Sequence, residues 1–226
     1  LRSFKWTSRC VFFNITSVYA IHDSFHIINI LMLNYSILLK KISRLNDIST
    51  IRDIINSVND NQIKNKLWLI EKLNPYLNMY TSPKISIAAG WHGLLAHLLN
   101  DKENIHSFDI DDSCKKTKLF DNVSYKTKDI IKHDPKDSDF LICTSCEHIT
   151  DDNVLTWIKR KKEESIAVIQ SNNYFDIKDH INCKNSLVNF QSDILDKAKR
   201  KKMKIRILKS YELKMPKYTR FMLFLT

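Results

Sequence analysis

The sequence predicts an α/β fold, with short buried strands alternating with helices about a mostly parallel sheet. The first observation behind this is a glycine turn. The chain has two glycines in 226 residues, both inside Ile85-Ser-Ile-Ala-Ala-Gly90-Trp-His-Gly93-Leu-Leu-Ala-His-Leu-Leu99, where ordinary usage of about 7% would scatter roughly sixteen. Glycines retained in so glycine-poor a chain mark backbone that tolerates no Cβ. An apolar run opened by Pro83 precedes them and reads as a buried strand, and Leu94, Leu95, Leu98 and Leu99 follow at helical spacing. Strand, glycine turn and helix together present amide N–H groups and a helix N-terminus to a nucleotide-like ligand. The second observation is an acid ending a second apolar run. Asp109, in Phe108-Asp109-Ile110-Asp111, lies nineteen residues beyond Gly90, near the spacing at which a carboxylate meets a ribose hydroxyl. The third is repetition: Asp129 closes a candidate strand over 123–128, and Phe140-Leu-Ile-Cys-Thr144 leads into Ser145-Cys146-Glu147-His148.

Taken in order, residues 1–45 are the least legible and are assigned as an N-terminal extension of uncertain status. Arg2, Lys5 and Arg9 precede an apolar stretch interrupted by Asn14, His22, Asp23, His26, Asn29 and Asn34. It has neither the clean apolar core and cleavage site of a signal peptide nor the roughly 18–20 apolar residues of a membrane span. The first methionine is Met32; the residues before it are either an over-extended reading frame or a helix packed on the domain. Residues 46–80 read as a helical preamble. Ile51, Ile54, Ile55 and Val58 form one amphipathic stretch, and Leu67, Ile70 and Leu73 a second; Asn59-Asp-Asn61 separates them, Asn74-Pro75 is expected to end the second, and Trp68 is assigned to the core. Residues 81–226 form the main domain. A helix opens at Asp151-Asp-Asn153 and ends in Lys159-Arg-Lys-Lys162, cations that complement the helix dipole. Ile166–Gln170 is a fifth strand followed by the polar cluster Ser171-Asn172-Asn173-Tyr174-Phe175; a further helix runs through Leu187, Phe190, Ile194 and Leu195, and Ile205–Leu208 and Tyr218–Leu225 are the last strands.

These residues carry a resemblance. Residues 84–226 resemble the class I S-adenosylmethionine-dependent methyltransferases. Gly90-Trp-His-Gly93 looks like the turn that cradles methionine, Asp109 like the ribose carboxylate and Asp129 like the acid near the adenine amino group, while Thr144-Ser-Cys-Glu-His148 is similar to the segment after the fourth strand of many small-molecule members. The sequence departs from the family's Gly-x-Gly-x-Gly pattern, since Ala89 and Trp91 fill two glycine positions and Ile87 replaces the preceding acid. The resemblance implies a three-layer sandwich on a seven-stranded, mostly parallel sheet with the last strand antiparallel. It implies S-adenosylmethionine as cofactor, bound by Ala89, Gly90, Trp91, Gly93, Asp109, Ile110, Asp129, Ile130 and Thr144. It also implies methyl transfer to a small polar metabolite or RNA. The alternatives are another chemistry on the same cofactor, or a non-catalytic RNA- or partner-binding module.

Methyl transfer needs in-line positioning of donor and acceptor and, for a hydroxyl or amine, removal of a proton. Side chains at the carboxyl ends of the fourth and fifth strands are favoured: Glu147, His148, Asn172, Tyr174 and His180. His148 is the base candidate, because an imidazole titrates near neutrality; the competing role for Glu147 and His148 is to cap the next helix. No metal is assigned. The Glu-His pair and a later histidine resemble the ion-binding residues of small-RNA 2′-O-methyltransferases, but Thr144 stands where a further glutamate is found. There is no Gly-x-Ser-x-Gly elbow and no phosphate-binding Walker loop. Five cysteines without regular spacing exclude a disulfide framework and point to a reduced, cytoplasmic protein; Cys143-x-x-Cys146 lacks the partners of a zinc site. The formal charge of +11 accompanies an abundance of Lys, Ile and Asn, as AT-rich coding produces, and bears on non-specific association. Within it, Lys197-Ala-Lys-Arg-Lys-Lys-Met-Lys204 is the best candidate for an RNA-facing surface.

Overall fold

The computed structural model describes residues 39–226 apart from 41, 100–103 and 122. The expected N-terminal extension, including Met32 and Cys10, therefore lies almost entirely outside the described residues. Residues 48–226 make one compact unit. Helices α1 (Ile48–Ser57) and α2 (Asp60–Leu77) precede β1 (Lys84–Ala88), α3 (Leu94–Leu98), β2 (Asn104–Asp109), α4 (Asp112–Thr117) and β3 (Tyr125–Thr127). Then follow β4 (Phe140–Cys143), α5 (Asp151–Ile158), β5 (Ile166–Asn172), α6 (Leu187–Arg200), β6 (Ile207–Lys214) and β7 (Thr219–Leu225).

The seven strands form one sheet in the order β3-β2-β1-β4-β5-β7-β6. The first five are parallel and β7 is antiparallel to both β5 and β6. This is the architecture expected from the sequence. Both faces of the central strands are covered, so those strands read as unbroken apolar runs. Phe140 and Ile142 face one way, into a core with Leu69, Leu73 and Leu77 of α2. Leu141 and Cys143 face the other, into a core with Leu155 and Trp157 of α5 and Phe190 and Ile194 of α6. Trp68 joins the α2 side, in the core as assigned, while Leu67 and Ile70 are only half-buried and the buried stripe runs through Leu69, Leu73 and Leu77.

Three boundaries differ from the sequence reading. Helix α2 runs through Asn74-Pro75 to Leu77. Pro75 sits in its last turn, where one amide is forfeited, while buried Leu73 and Leu77 hold the turn on the sheet and Asn78 N–H closes on Asn74 C=O. Strand β5 extends past Gln170 because Ser171 and Asn172 pair with Phe221 and Arg220 of β7. Strand β6 starts two residues late and continues to Lys214, since pairing with β7 supplies hydrogen bonds all along it; its alternating half-exposed pattern is that of an edge strand.

The chain leaves β1 toward β2 and β3, then returns to β4 and β5 on the other side. The switch point of the sheet therefore lies between the carboxyl ends of β1 and β4, the place where open α/β sheets form a ligand crevice.

Candidate active site

A cleft of about 820 Å³ opens over that switch point. The glycine turn forms its floor. Gly93 has φ +82°, and a Cβ there would lie 2.8 Å from the Tyr125 hydroxyl oxygen. That hydroxyl is itself fixed, donating to His92 C=O (2.8 Å) and accepting from Phe120 N–H (3.0 Å). A Cβ on Gly90 would fall 2.1 Å from Ser107 Oγ. Gly93 thus occupies a position closed to a side chain, and at Gly90 a Cβ would have to displace the Ser107 hydroxyl. Ala89 (φ 50°) and Trp91 (φ 47°) take the left-handed conformation that glycine favours. The two departures from the glycine pattern change the side chains and leave the backbone path of a glycine turn, held at a strain of about 1–2 kcal/mol per residue. Asp109 anchors this path: one carboxylate oxygen accepts from Trp91 N–H (2.8 Å) and the other from Asp111 N–H (3.1 Å). Trp91 lines the cleft.

Every sequence-assigned site residue except Gly93 lines the cleft; Gly93 is buried behind it against Tyr125. On one side stand Asp109 and exposed Ile110 after β2, and Asp129 and buried Ile130 after β3. Asp129 N-caps a short 3-10 turn by accepting from Ile131 N–H (3.0 Å). Phe108 lines this side too, backed by His133 stacked at 4.2 Å. Burial pushes the His133 imidazole down to about 4, so it stays neutral and accepts from Trp157 Nε1–H.

On the other side, Glu147 and His148 lie in a 3-10 turn over Cys146–His148, and Thr150 caps α5. The capping role weighed for the Glu-His pair is therefore taken by Thr150. His180 is brought opposite them by the β5–α6 loop. Asn182 stitches that loop down, its N–H donating to Glu147 C=O and its amide to the carbonyls of Cys146 and Ile149. Beneath lies Asp151, fully buried. Burial pushes its carboxyl up, but hydrogen bonds from Asn182, Lys184 and Lys197 outweigh that and hold it below its usual value. Asn172 serves as scaffold, accepting from Tyr174 N–H (2.8 Å), while the Tyr174 ring stacks on Tyr218 at 5.2 Å.

The ligand atoms of Glu147, His148 and His180 all lie within 4.8 Å of one another. His148 Nδ1 faces Asp179 C=O (3.0 Å) and His180 Nδ1 faces Tyr174 C=O (2.7 Å). A carbonyl only accepts, so each Nδ1 carries the proton and each Nε2 presents a lone pair. Glu147 is 4% exposed; its Oε1 accepts from Arg220 Nη1 at 2.7 Å, and Oε2 has no hydrogen-bond partner among the described residues. Two imidazole lone pairs and a bare buried carboxylate oxygen are a ligand set for a divalent cation, one that suits Mn²⁺ or a transition metal better than Mg²⁺. Thr144 offers no further carboxylate. Its hydroxyl accepts from Lys66 Nζ (2.9 Å) and its carbonyl from Arg220 Nη2 (2.6 Å).

Two functional candidates were missed in the sequence, and each had a signal. Arg220 is the single charge inside the apolar run of β7. Lys66 continues the buried Leu69–Leu73–Leu77 stripe of α2, one turn before it. Asn56, Asn59, Asn61 and Gln62 add an amide-rich rim.

No protein-family model and no curated protein matches the sequence. Solved structures do share its fold. The methyltransferase domain of bacterial CtHen1-C is 13% identical, with a TM-score of 0.54 over 72% of this chain and 96% of that one. Magnesium protoporphyrin IX methyltransferase from Synechocystis, solved with S-adenosylhomocysteine, is 13% identical with a TM-score of 0.54 over 74% and 87%. An S-adenosylmethionine-dependent methyltransferase from Clostridium acetobutylicum is 12% identical with a TM-score of 0.54 over 76% and 94%. At these identities the likeness establishes a shared Rossmann-like methyltransferase fold.

Proposed function

We propose that this chain, built on the class I methyltransferase fold, transfers a methyl group from S-adenosylmethionine to a hydroxyl of a polar acceptor, with a divalent cation held by Glu147, His148 and His180. The observation that carries it is the division of the cleft. Asp109 and Asp129 stand at the ends of β2 and β3 on one side, and the unpartnered Glu147 oxygen with two imidazole lone pairs stands on the other. The first half fits an adenosine. Two carboxylates can accept from ribose hydroxyls and an exocyclic amine, since each Asp109 oxygen keeps a second lone pair, and Ile110, Ile130 and Phe108 supply apolar contact. The sulfonium donor, when bound, supplies the methyl group. The second half fits an oxygen acceptor. A cation there would polarise the acceptor hydroxyl and lower its pKa. The two histidines then serve as ligands oriented by the Asp179 and Tyr174 carbonyls, and neither is needed as a free base.

Calorimetric titration tests both halves. S-adenosylhomocysteine is expected to bind saturably, and Asp109→Ala to weaken it at least about tenfold, the loss of a charge-assisted hydroxyl contact. Mn²⁺ titrated into the chelator-treated protein should bind the wild type and not Glu147→Gln, and methyl transfer should stop on chelation and return with Mn²⁺. Activity indifferent to chelation would remove the cation and return His148 to the role of base.

A further inference from the structure

The face of α2 turned to the cleft carries a charge arrangement that the reaction does not use. Lys66 lines the cleft yet is only 9% exposed. Among the described residues its one hydrogen bond is to Thr144 Oγ1 at the carboxyl end of β4, which leaves ammonium donors for a ligand. The charged groups around it come from two other elements. Arg220 of β7 and Glu147 of the turn after β4 form a buried pair at 2.7 Å, and the Cys143 thiol closes β4 beneath. Asn65, turned oxygen-first, accepts from Arg220 Nε and Nη2 and brings no charge. The pair is neutral, so a protonated Lys66 would be an uncompensated cation out of water, an expensive state. Burial first and the Arg220 charge second pull the Lys66 amine down to about 7, against smaller opposing effects of Glu147 and Cys143. This corner of the cleft lacks one negative charge.

We propose that Lys66 receives the carboxylate of an α-amino acid moiety, that of the methyl donor, and takes up a proton as the carboxylate enters. The inference rests on the methyl-donor reading and adds to it. Thr144 ends β4 beside the glycine turn at the switch point, so Lys66 reaches the crevice at the place where the amino acid end of a donor lying across that turn must sit. The entering carboxylate supplies the missing charge and the proton moves from solvent to Nζ; this balance holds for the protein without a cation on Glu147, so the titrations use chelator-treated protein. Adenosine contacts on the Asp109 and Asp129 side do not involve Lys66, which separates the two halves of the ligand.

The test compares S-adenosylhomocysteine with 5′-methylthioadenosine, which keeps the nucleoside and sulfur but has no carboxylate or amine. Isothermal titrations run at pH 6 and pH 8, in buffers of different ionisation enthalpy. For S-adenosylhomocysteine the Kd is expected to rise about tenfold from pH 6 to pH 8, with more proton uptake at pH 8 than at pH 6, as an amine held low in the free protein and protonated in the complex requires. Methylthioadenosine should show neither effect. Lys66→Met should weaken S-adenosylhomocysteine at pH 6 by about tenfold or more, abolish the uptake and leave methylthioadenosine unchanged. Lys66→Gln, which keeps a donor to Thr144, should behave alike. His92 also lines the cleft with a lowered pKa caused by burial, so His92→Gln should keep the Lys66-dependent uptake at pH 8. A flat profile for S-adenosylhomocysteine, or wild-type uptake persisting in both Lys66 variants, overturns the carboxylate assignment while the methyl-donor reading stands. Failure of both nucleosides to bind overturns the two together.

Discussion

Arg220 shows how one side chain can hold a site together. Its guanidinium reaches Glu147 Oε1, the Thr144 carbonyl and the Asn65 amide, all from within a strand that is otherwise apolar. It fixes the carboxylate through Oε1 and leaves Oε2 without a hydrogen-bond partner among the described residues. Removing it would strand a buried charge, and breaking one partner of a buried pair costs about 3–5 kcal/mol. Arg220→Met should therefore lower stability by roughly that amount in a denaturant titration read by tryptophan fluorescence, and Arg220→Lys should restore part of it, since one ammonium cannot reproduce the planar fork. A loss below about 1 kcal/mol for the methionine variant would mean that Glu147 is solvated, and the cation ligand set would lose its buried oxygen.

At the scale of the element, the β1–α3 turn stores strain where the ligand crevice begins. Ala89 and Trp91 hold φ near +50°, and two opposing effects decide what glycine would do at Ala89. Relief of left-handed strain gains about 1–2 kcal/mol, while the freer unfolded chain loses about 0.4–1. Ala89→Gly should thus raise stability, by up to about 1.6 kcal/mol. Gly93→Ala should do the reverse and more. It combines φ +82° with a Cβ 2.8–3.1 Å from three atoms of a Tyr125 ring already pinned by two hydrogen bonds. A loss of about 1–3 kcal/mol is expected. Thermal unfolding of the two variants side by side checks both signs, and equal shifts would show that the turn relaxes freely.

At the scale of the molecule, the later part of the basic run lies at the opposite end of the strands from the cleft. Leu225 pairs with Ala167 at the start of β5 and with Ile207 at the start of β6, so Lys201–Arg206 sits at the amino ends of the parallel strands. The cleft is at the carboxyl ends, about 20 Å of strand away. Two lysines of the run are also engaged, Lys197 with Asp151 and Lys201 with Asp152. Lys159, Lys161, Lys202, Lys204 and Arg206 gather there around a shallow depression. Replacing Lys202, Lys204 and Arg206 by glutamine should leave methyl transfer within about twofold, while flattening the salt dependence of any nucleic-acid retention. Turnover that falls with these substitutions would mean that the acceptor wraps around the domain, as a polynucleotide can. Among the described residues no helix is long and apolar enough to cross a membrane.

The sequence by itself determined the sheet, the turn and the strand-end acids, because each is a local property. Unbroken apolar runs such as Phe140–Cys143 signal strands buried on both faces, and Gly93 persists because a Cβ has no room at its positive φ. Asp109 and Asp129 follow strands whose ends the apolar pattern marks. The boundaries that slipped, at Pro75 and in β6, are those where a packed neighbour overrides a local stop. Tertiary structure alone decided the rest. Arg220 meets Glu147 across 73 residues of chain and Lys66 meets Thr144 across 78. It also decided that Glu147 Oε2 is left without a partner among the described residues, that the two histidines present Nε2, and that Lys201–Arg206 lie at the far end of the strands from the cleft. Charge pairing and burial are fixed by which side chains the fold places together, and no pattern along the chain encodes a distance between residues so far apart.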